Sequence, residues 1–158
     1  MIRCVLLDGT EIEIQSLKDI NEKGIAIQIK ELYCSNKKLT TLKGCVNLQA
    51  LICSNTQLTT LKGLEICIYL LDLYCCNNQL TTLKGLERCR NLRYLECNNN
   101  QLKILRGLEN CTILRKLYCN NNPLTTLKGL ERCTYLKTLH CDLFPLYRYS
   151  VIKTNQLC

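Results

Sequence analysis

Residues 70–91 read LLDLYCCNNQLTTLKGLERCRN and residues 92–113 read LRYLECNNNQLKILRGLENCTI, the same 22-residue phrase written twice. With the first Leu as position 0, both place Leu at 0, 3, 10, 13 and 16, Cys at 5 and 19, Asn at 8 and Gly at 15. Working outward, the cysteines keep the count. From Cys45 to Cys141, setting Cys76 aside, the gaps alternate between 8 and 14 residues. Such self-similarity at a fixed period marks a repeat architecture. Full coils start at Leu48, Leu70, Leu92, Leu114 and Leu136, and a 19-residue coil starts at Ile29, short by three residues between Gly44 and Cys45.

Apolar residues that alternate at positions 3 and 5 predict a short strand with one buried face. A single coil cannot hide its own leucines, so the coils must stack and share one continuous core. Six strands at the ~4.8 Å spacing of a sheet then make a parallel ribbon about 24 Å wide. Asn78, Asn100 and Asn122 at position 8 predict a buried amide ladder. Lys37 and Thr56 interrupt it, and Asn36 and Asn55, one residue earlier, are the expected substitutes. Gly44, Gly63, Gly85, Gly107 and Gly129 at position 15 mark a turn that a side chain would obstruct.

The pattern L-x-x-L-x-C-x-x-N-x-L resembles the leucine-rich repeat family over roughly residues 29–146. The 22-residue period, with Lys-Gly-Leu-Glu after the second leucine pair, looks like the internalin-like class. That resemblance implies an α/β repeat solenoid, a horseshoe or arc with a parallel concave β-sheet and short 3₁₀ or irregular convex turns. The cysteine at position 5 and the phrase NNQLTTLKGLE are also similar to cysteine-containing leucine-rich repeat proteins of giant DNA viruses. Residues 1–28 are expected to cap the stack, as a hairpin about Asp8-Gly9 and a short helix from Ser16 to Gly24. Leu7, Ile12, Leu17, Ile20 and Ala26 fall in step with the period, so a degenerate coil is the alternative for this cap. Residues 147–158 are expected to form a C-terminal cap or tail, and Leu143 to Tyr147 to cover the last coil, with a binding patch as the alternative.

Fourteen cysteines in 158 residues raise the possibility of a disulfide scaffold. Spacing argues against it, since in-register side chains sit near the strand spacing, beyond the 3.5–4.5 Å Cβ separation of a bridge. Eleven cysteines therefore read as reduced core positions, and Cys4, Cys76 and Cys158 stand outside the columns. Cys76, at position 6, reads as a surface thiol. The start of the chain offers no apolar segment long enough for a signal peptide, and the longest apolar run, Ile66 to Leu71, is too short to span a bilayer. A cytoplasmic protein without membrane association is expected.

Catalysis lacks its parts. Zinc ligation is disfavoured because no C-x-x-C occurs and His140 is the one histidine. His140 lies three coils from Cys76, ~14 Å at strand spacing, too far to activate the thiol. The concave carboxylates Glu31, Asp72, Glu96 and Asp142 are spread one to a coil. No enzymatic activity, cofactor or metal is expected.

The remaining functional surface is the concave face, at positions 1, 2, 4 and 6. Tyr33, Ile52, Tyr74, Glu96, Tyr118 and His140 run along its centre, with Tyr94 beside them between Asp72 and Lys116. Large amphipathic rings among charges of both signs point to a bound protein partner, a host protein if the source is viral. The net charge of +8 raises nucleic acid as the alternative. Its distribution speaks against it: the concave face carries five basic residues against four acids, and the convex lysines alternate with Glu65, Glu87, Glu109 and Glu131. A structural or self-associating role is the third reading, with a monomer expected over an oligomer.

Overall fold

A computed structural model describes residues 1–22, 24–35 and 45–142, with the side chains of Leu17 and Asn21 left out. Asn36, Lys37, Leu39, Lys43, Gly44, Cys158 and the expected C-terminal cover, residues 143–147, lie outside the described residues.

The chain winds as a solenoid around one sheet of eight strands, in the order β2-β1-β3-β4-β5-β6-β7-β8. Strands β1 (Ile2–Leu6) and β2 (Glu11–Ile14) form an antiparallel hairpin. Gly9, at φ +88°, turns it, and the Asp8 carboxylate accepts the Thr10 N–H at 2.9 Å. Helix α1 (Leu17–Glu22) follows. The Asp19 carboxylate there accepts the Ser16 N–H at 3.0 Å, so the side chain reaches back over the first turn. Gly24, at φ +64°, ends the turn, and the Ile25 N–H reaches the Ile20 carbonyl at 3.1 Å. Five parallel strands, β4 (Ala50–Ile52), β5 (Asp72–Tyr74), β6 (Tyr94–Glu96), β7 (Lys116–Tyr118) and β8 (Thr138–His140), stack onto β3 (Ile29–Tyr33).

The register is the repeat itself. Leu32, Leu51, Leu73, Leu95, Leu117 and Leu139 are mutual partners across the sheet. All six are buried, and so are the position-5 cysteines beside them. Because the side-chain period of a strand is two, positions 3 and 5 go into the core and 2, 4 and 6 to the concave surface.

The convex side explains why the other apolar residues come every third position. In the coil from Leu70, Leu86 N–H bonds the Leu83 carbonyl, Cys89 bonds Leu86 and Leu92 bonds Cys89, at 3.2, 2.9 and 3.1 Å. The coils from Leu48, Leu92 and Leu114 repeat these bonds. Consecutive three-residue turns eclipse residues i and i+3, which keeps positions 13, 16, 19 and the next position 0 on one inward line. A 3₁₀ helix is completed at Leu64–Ile66. Gly85, Gly107 and Gly129 stand at φ +114°, +116° and +112°, and a Cβ there would run into the carbonyl of Leu61, Leu83 or Leu105 in the coil before. Position 15 is thus closed to every side chain twice over, by backbone conformation and by contact. The Gly N–H is then capped from position 17: the carboxylates of Glu65, Glu87, Glu109 and Glu131 accept it at 2.6–2.9 Å. These acids, which the sequence presents as charges alternating with lysine, are structural.

The degenerate-coil alternative for the N-terminal cap is corrected. β1 runs antiparallel to β3, with Arg3 opposite Tyr33 and Cys4 opposite Leu32, which no coil of a parallel stack could do. Leu7, at the start of that register, is 51% exposed, because the Asp8-Gly9 turn carries it out of the core. Ile12, Ile20 and Ala26 still pack against the core, but from a hairpin and a helix. Among the described residues no helix is long and apolar enough to cross a membrane.

Candidate functional site on the concave sheet

The concave surface is set from beneath by the amide ladder. Asn100 donates to the carbonyls of Cys75 and Cys97, both at 3.0 Å, so one side chain ties two successive coils. Asn78 joins Cys53 to Cys75, and Asn122 joins Cys97 to Cys119, by the same bonds. Each Oδ1 accepts a backbone N–H of the preceding coil, from Leu58, Leu80 or Leu102, at 3.0 Å. Where Thr56 interrupts the ladder, its own hydroxyl takes over, donating to the Cys53 carbonyl at 2.7 Å. Asn55 does not substitute. It adopts φ +58°, as Asn77, Asn99 and Asn121 do at the same position, and turns the chain out of the strand.

On this frame the rings of coils three to six meet. Tyr74 and Tyr94 have centroids 4.8 Å apart, Tyr94 and Tyr118 5.6 Å, and Tyr118 and His140 4.8 Å, the last pair stacked at 20°. Position 4 would be broken at Glu96. Tyr94, two residues earlier on the same strand, leans across and fills the gap between Tyr74 and Tyr118. The result is an unbroken row of four rings over four consecutive strands. Glu96 becomes the polar hub below it, accepting from the Tyr94 hydroxyl at 3.2 Å, the Cys76 thiol at 3.3 Å and the Asn98 amide at 3.3 Å. Burial, followed by the Glu96 charge and this hydrogen bond, raises the Tyr94 hydroxyl well above the ordinary tyrosine value.

Tyr33 does not join the row. Its ring lies 4.0 Å beneath the Arg3 guanidinium of the cap, and its hydroxyl donates to Glu31 at 2.6 Å. Ile52, half-buried, separates it from Tyr74. Asp72 is partly buried, and its carboxyl is raised by that burial against the lowering influence of Arg93. Lys116 is exposed, opposite Tyr94 on one side and Thr138 on the other. The nine sequence-predicted residues therefore share one face but divide into a ring row with Glu96, a rim bearing Asp72 and Lys116, and a separate cap contact at Tyr33, with Ile52 between that contact and the row.

Cys76 is corrected. Only 8% exposed, it is not a surface thiol, because Glu96 of the next coil closes over it, and burial together with that hydrogen bond pushes the thiol up to about 12. Cys4 is fully buried in the cap core. The thirteen described cysteines form no disulfide with one another in the structure. On the convex side Cys67, Cys89, Cys111 and Cys133 each donate to a carbonyl of the preceding coil, at 3.2–3.8 Å. Among the described residues no three His, Cys, Asp or Glu side chains gather as a metal site.

Comparison with known proteins agrees with this geometry. A family model described as leucine-rich repeats (2 copies) matches residues 70–110. No curated protein matches the sequence. Among solved structures, an internalin (inlF) from Listeria monocytogenes is similar with a TM-score of 0.61 at 21% identity, over 70% of this chain and 34% of that one. The internalin C2 (inlC2) of the same bacterium gives 0.52 at 22% identity, over 72% and 71%. The functional domain of InlJ from Listeria monocytogenes, described as including a cysteine ladder, gives 0.57 at 27% identity, over 82% and 32%. The chain thus spans about a third of the length of two of these three. They carry the internalin side of the resemblance and not the viral one.

Proposed function

We propose that this leucine-rich repeat solenoid of internalin-like fold is a non-catalytic recognition module that holds a protein partner on its concave sheet, and that it works as a monomer in a reducing cytoplasm. The observation that carries this reading is the row Tyr74, Tyr94, Tyr118 and His140, half-buried on the concave sheet. Tyrosine brings a large apolar body with a polar tip, and rings already ordered by their neighbours lose little entropy when a partner covers them. Three of the four acids of the face, Glu31, Glu96 and Asp142, are engaged with tyrosine, thiol, amide and backbone donors, an arrangement that holds side chains still and does not set them as a carboxylate pair for acid–base work. Columns of buried thiols without disulfide partners fit a compartment in which cysteines stay reduced.

Capture of partners from a candidate cell lysate tests the face. The Tyr74→Ala/Tyr118→Ala double variant should lose the proteins that the parent retains. Tyr69→Ala/Tyr135→Ala, which removes two exposed convex rings, should keep them. Equal capture by the parent and the concave variant would refute the assignment.

A further inference from the structure

Four cations stand along the rim of the concave sheet beside the last three rings. Arg93, Arg115 and Lys137 hold position 1 in three consecutive coils, and their backbones are directly joined: Arg115 N–H bonds the Arg93 carbonyl at 2.9 Å, and Lys137 N–H bonds that of Arg115 at 2.8 Å. They therefore repeat at about one strand spacing, ~4.8 Å. Lys116 adds a fourth charge next to Arg115. All four are exposed, and among the described residues none forms an ion pair. Arg93 acts on Asp72 and is partly compensated. Arg115, Lys116 and Lys137 have no such partner within the rim.

The carboxylates of the same half face elsewhere. Glu96 is held by Tyr94, Cys76 and Asn98, and Asp142 accepts the Asn121 N–H at 2.8 Å on the opposite side of the strands. A face that is close to neutral by count is therefore polarised along its length. The first three coils carry Lys30 against Glu31 and Asp72, while the last three carry four cations against Glu96 and Asp142.

We infer that the C-terminal half of the concave sheet takes an acidic peptide segment, its carboxylates on Arg115, Lys116 and Lys137 and its remaining atoms on the edges of Tyr94, Tyr118 and His140. This rests on the concave-face reading above and adds the partner's chemistry and its place on the sheet. Charge complementarity selects the occupant. A single-stranded nucleic acid would also seek cations beside rings, but it needs open ring faces on which to stack its bases. Here successive rings stand 4.8–5.6 Å apart, tilted by 32° and 35° in the first two pairs and stacked in the third, too close for a base to enter between them. A second copy of the chain is no better matched, since it carries a net +8 and its convex acids are bound to glycine N–H groups beside Lys84, Arg106 and Lys128.

The test is anisotropy of a fluorescein-labelled Glu-Ala alternating dodecapeptide, whose carboxylates line one side of an extended chain, titrated at low salt. The parent should bind it. Arg115→Glu/Lys116→Glu/Lys137→Glu should weaken binding by about tenfold or more, while Lys62→Glu/Lys84→Glu/Lys128→Glu, the same charge change on the convex turns, should weaken it by about twofold at most. Circular dichroism confirms that both variants keep the parent fold. Equal losses in the two variants would reduce the effect to net charge and overturn the inference. So would tighter binding of a labelled oligouridylate that is lost with the same concave variant. A parent that ignores the peptide while its capture of partners still depends on Tyr74 and Tyr118 sinks the acidic segment and leaves the concave face standing. Failure of both measurements removes both.

Discussion

Asn100 is 7% exposed, yet its amide hydrogens and oxygen are all spoken for. The Cys75 and Cys97 carbonyls it serves each receive a second amide, from Asn78 and Asn122, so the ladder is redundant on the acceptor side. It is not redundant for the Leu80 N–H, whose described bond is to Asn100 Oδ1. Asn100→Leu keeps the number and branching of side-chain heavy atoms but leaves that donor buried without a partner. We expect a loss of about 2–4 kcal/mol, one orphaned group plus the weaker shared bonds, read as a lower urea midpoint at unchanged slope. A variant that unfolds with the parent would mean the amide is dispensable. The Asn column was legible in the sequence because one residue type recurs at one position. Its interruption was misread for a physical reason: Thr56 and Asn55 can both bond backbone, and only the left-handed φ at position 7, shared by Asn55, Asn77, Asn99 and Asn121, assigns the roles. Cys76 was misread similarly. Alternation correctly sends position 6 outward, but the lid over it comes from Glu96, a residue of the next coil.

At the scale of the element, buried thiols in both cysteine columns are pushed the same way by the same cause. Burial, helped by neighbouring thiols or carboxylates, pushes Cys34, Cys67 and Cys89 up to about 12 from an ordinary 9.0. A folded value above the unfolded one means that stability is intact below pH 9 and falls as pH rises toward 12, because the unfolded chain releases its thiol protons first. Each such thiol removes about 1.4 kcal/mol per pH unit in that window. Several together approach the whole stability of an ordinary domain, about 5–15 kcal/mol, within one or two units. Urea midpoints in the presence of reductant should hold steady to about pH 8.5 and then fall steeply, and Cys89→Ala should flatten the fall. A midpoint unmoved between pH 7 and 10.5 would contradict the burial of these thiols as ionisable groups. Both columns could be read from the 8 and 14 gaps alone, and so could the strands, since Leu and Cys two apart allow one inward face. The ring row was only half legible. Tyr74 and Tyr118 occupy position 4, but Tyr94 occupies position 2, and its bridging role depends on a lean across the strand that no period encodes.

For the molecule as a whole, the ends decide whether the stack stays closed. The hairpin β1–β2 covers the edge of β3, with Arg3, Cys4 and Val5 opposite Tyr33, Leu32 and Glu31. It also brings Ile2, Cys4, Leu6 and Ile14 into the common core. Burying each large aliphatic side chain contributes about 2 kcal/mol, so the hairpin supplies an appreciable share of the fold's stability. Its second role is topological. A parallel stack exposes a full row of backbone donors and acceptors on its first strand, a template for pairing with another chain. The antiparallel hairpin moves the exposed edge to β2, a four-residue strand bearing Glu11 and Glu13, and charge on a short edge discourages further pairing. Deletion of residues 1–15 should therefore do two separable things. The urea midpoint should drop, and light scattering should report association that grows with concentration as bare β3 edges meet. Both effects are expected together, since the same strand seals the core and blocks the edge. If the truncated chain scattered as a monomer across a hundredfold dilution and kept the parent's midpoint, the hairpin would be an appendage and the solenoid would close without it.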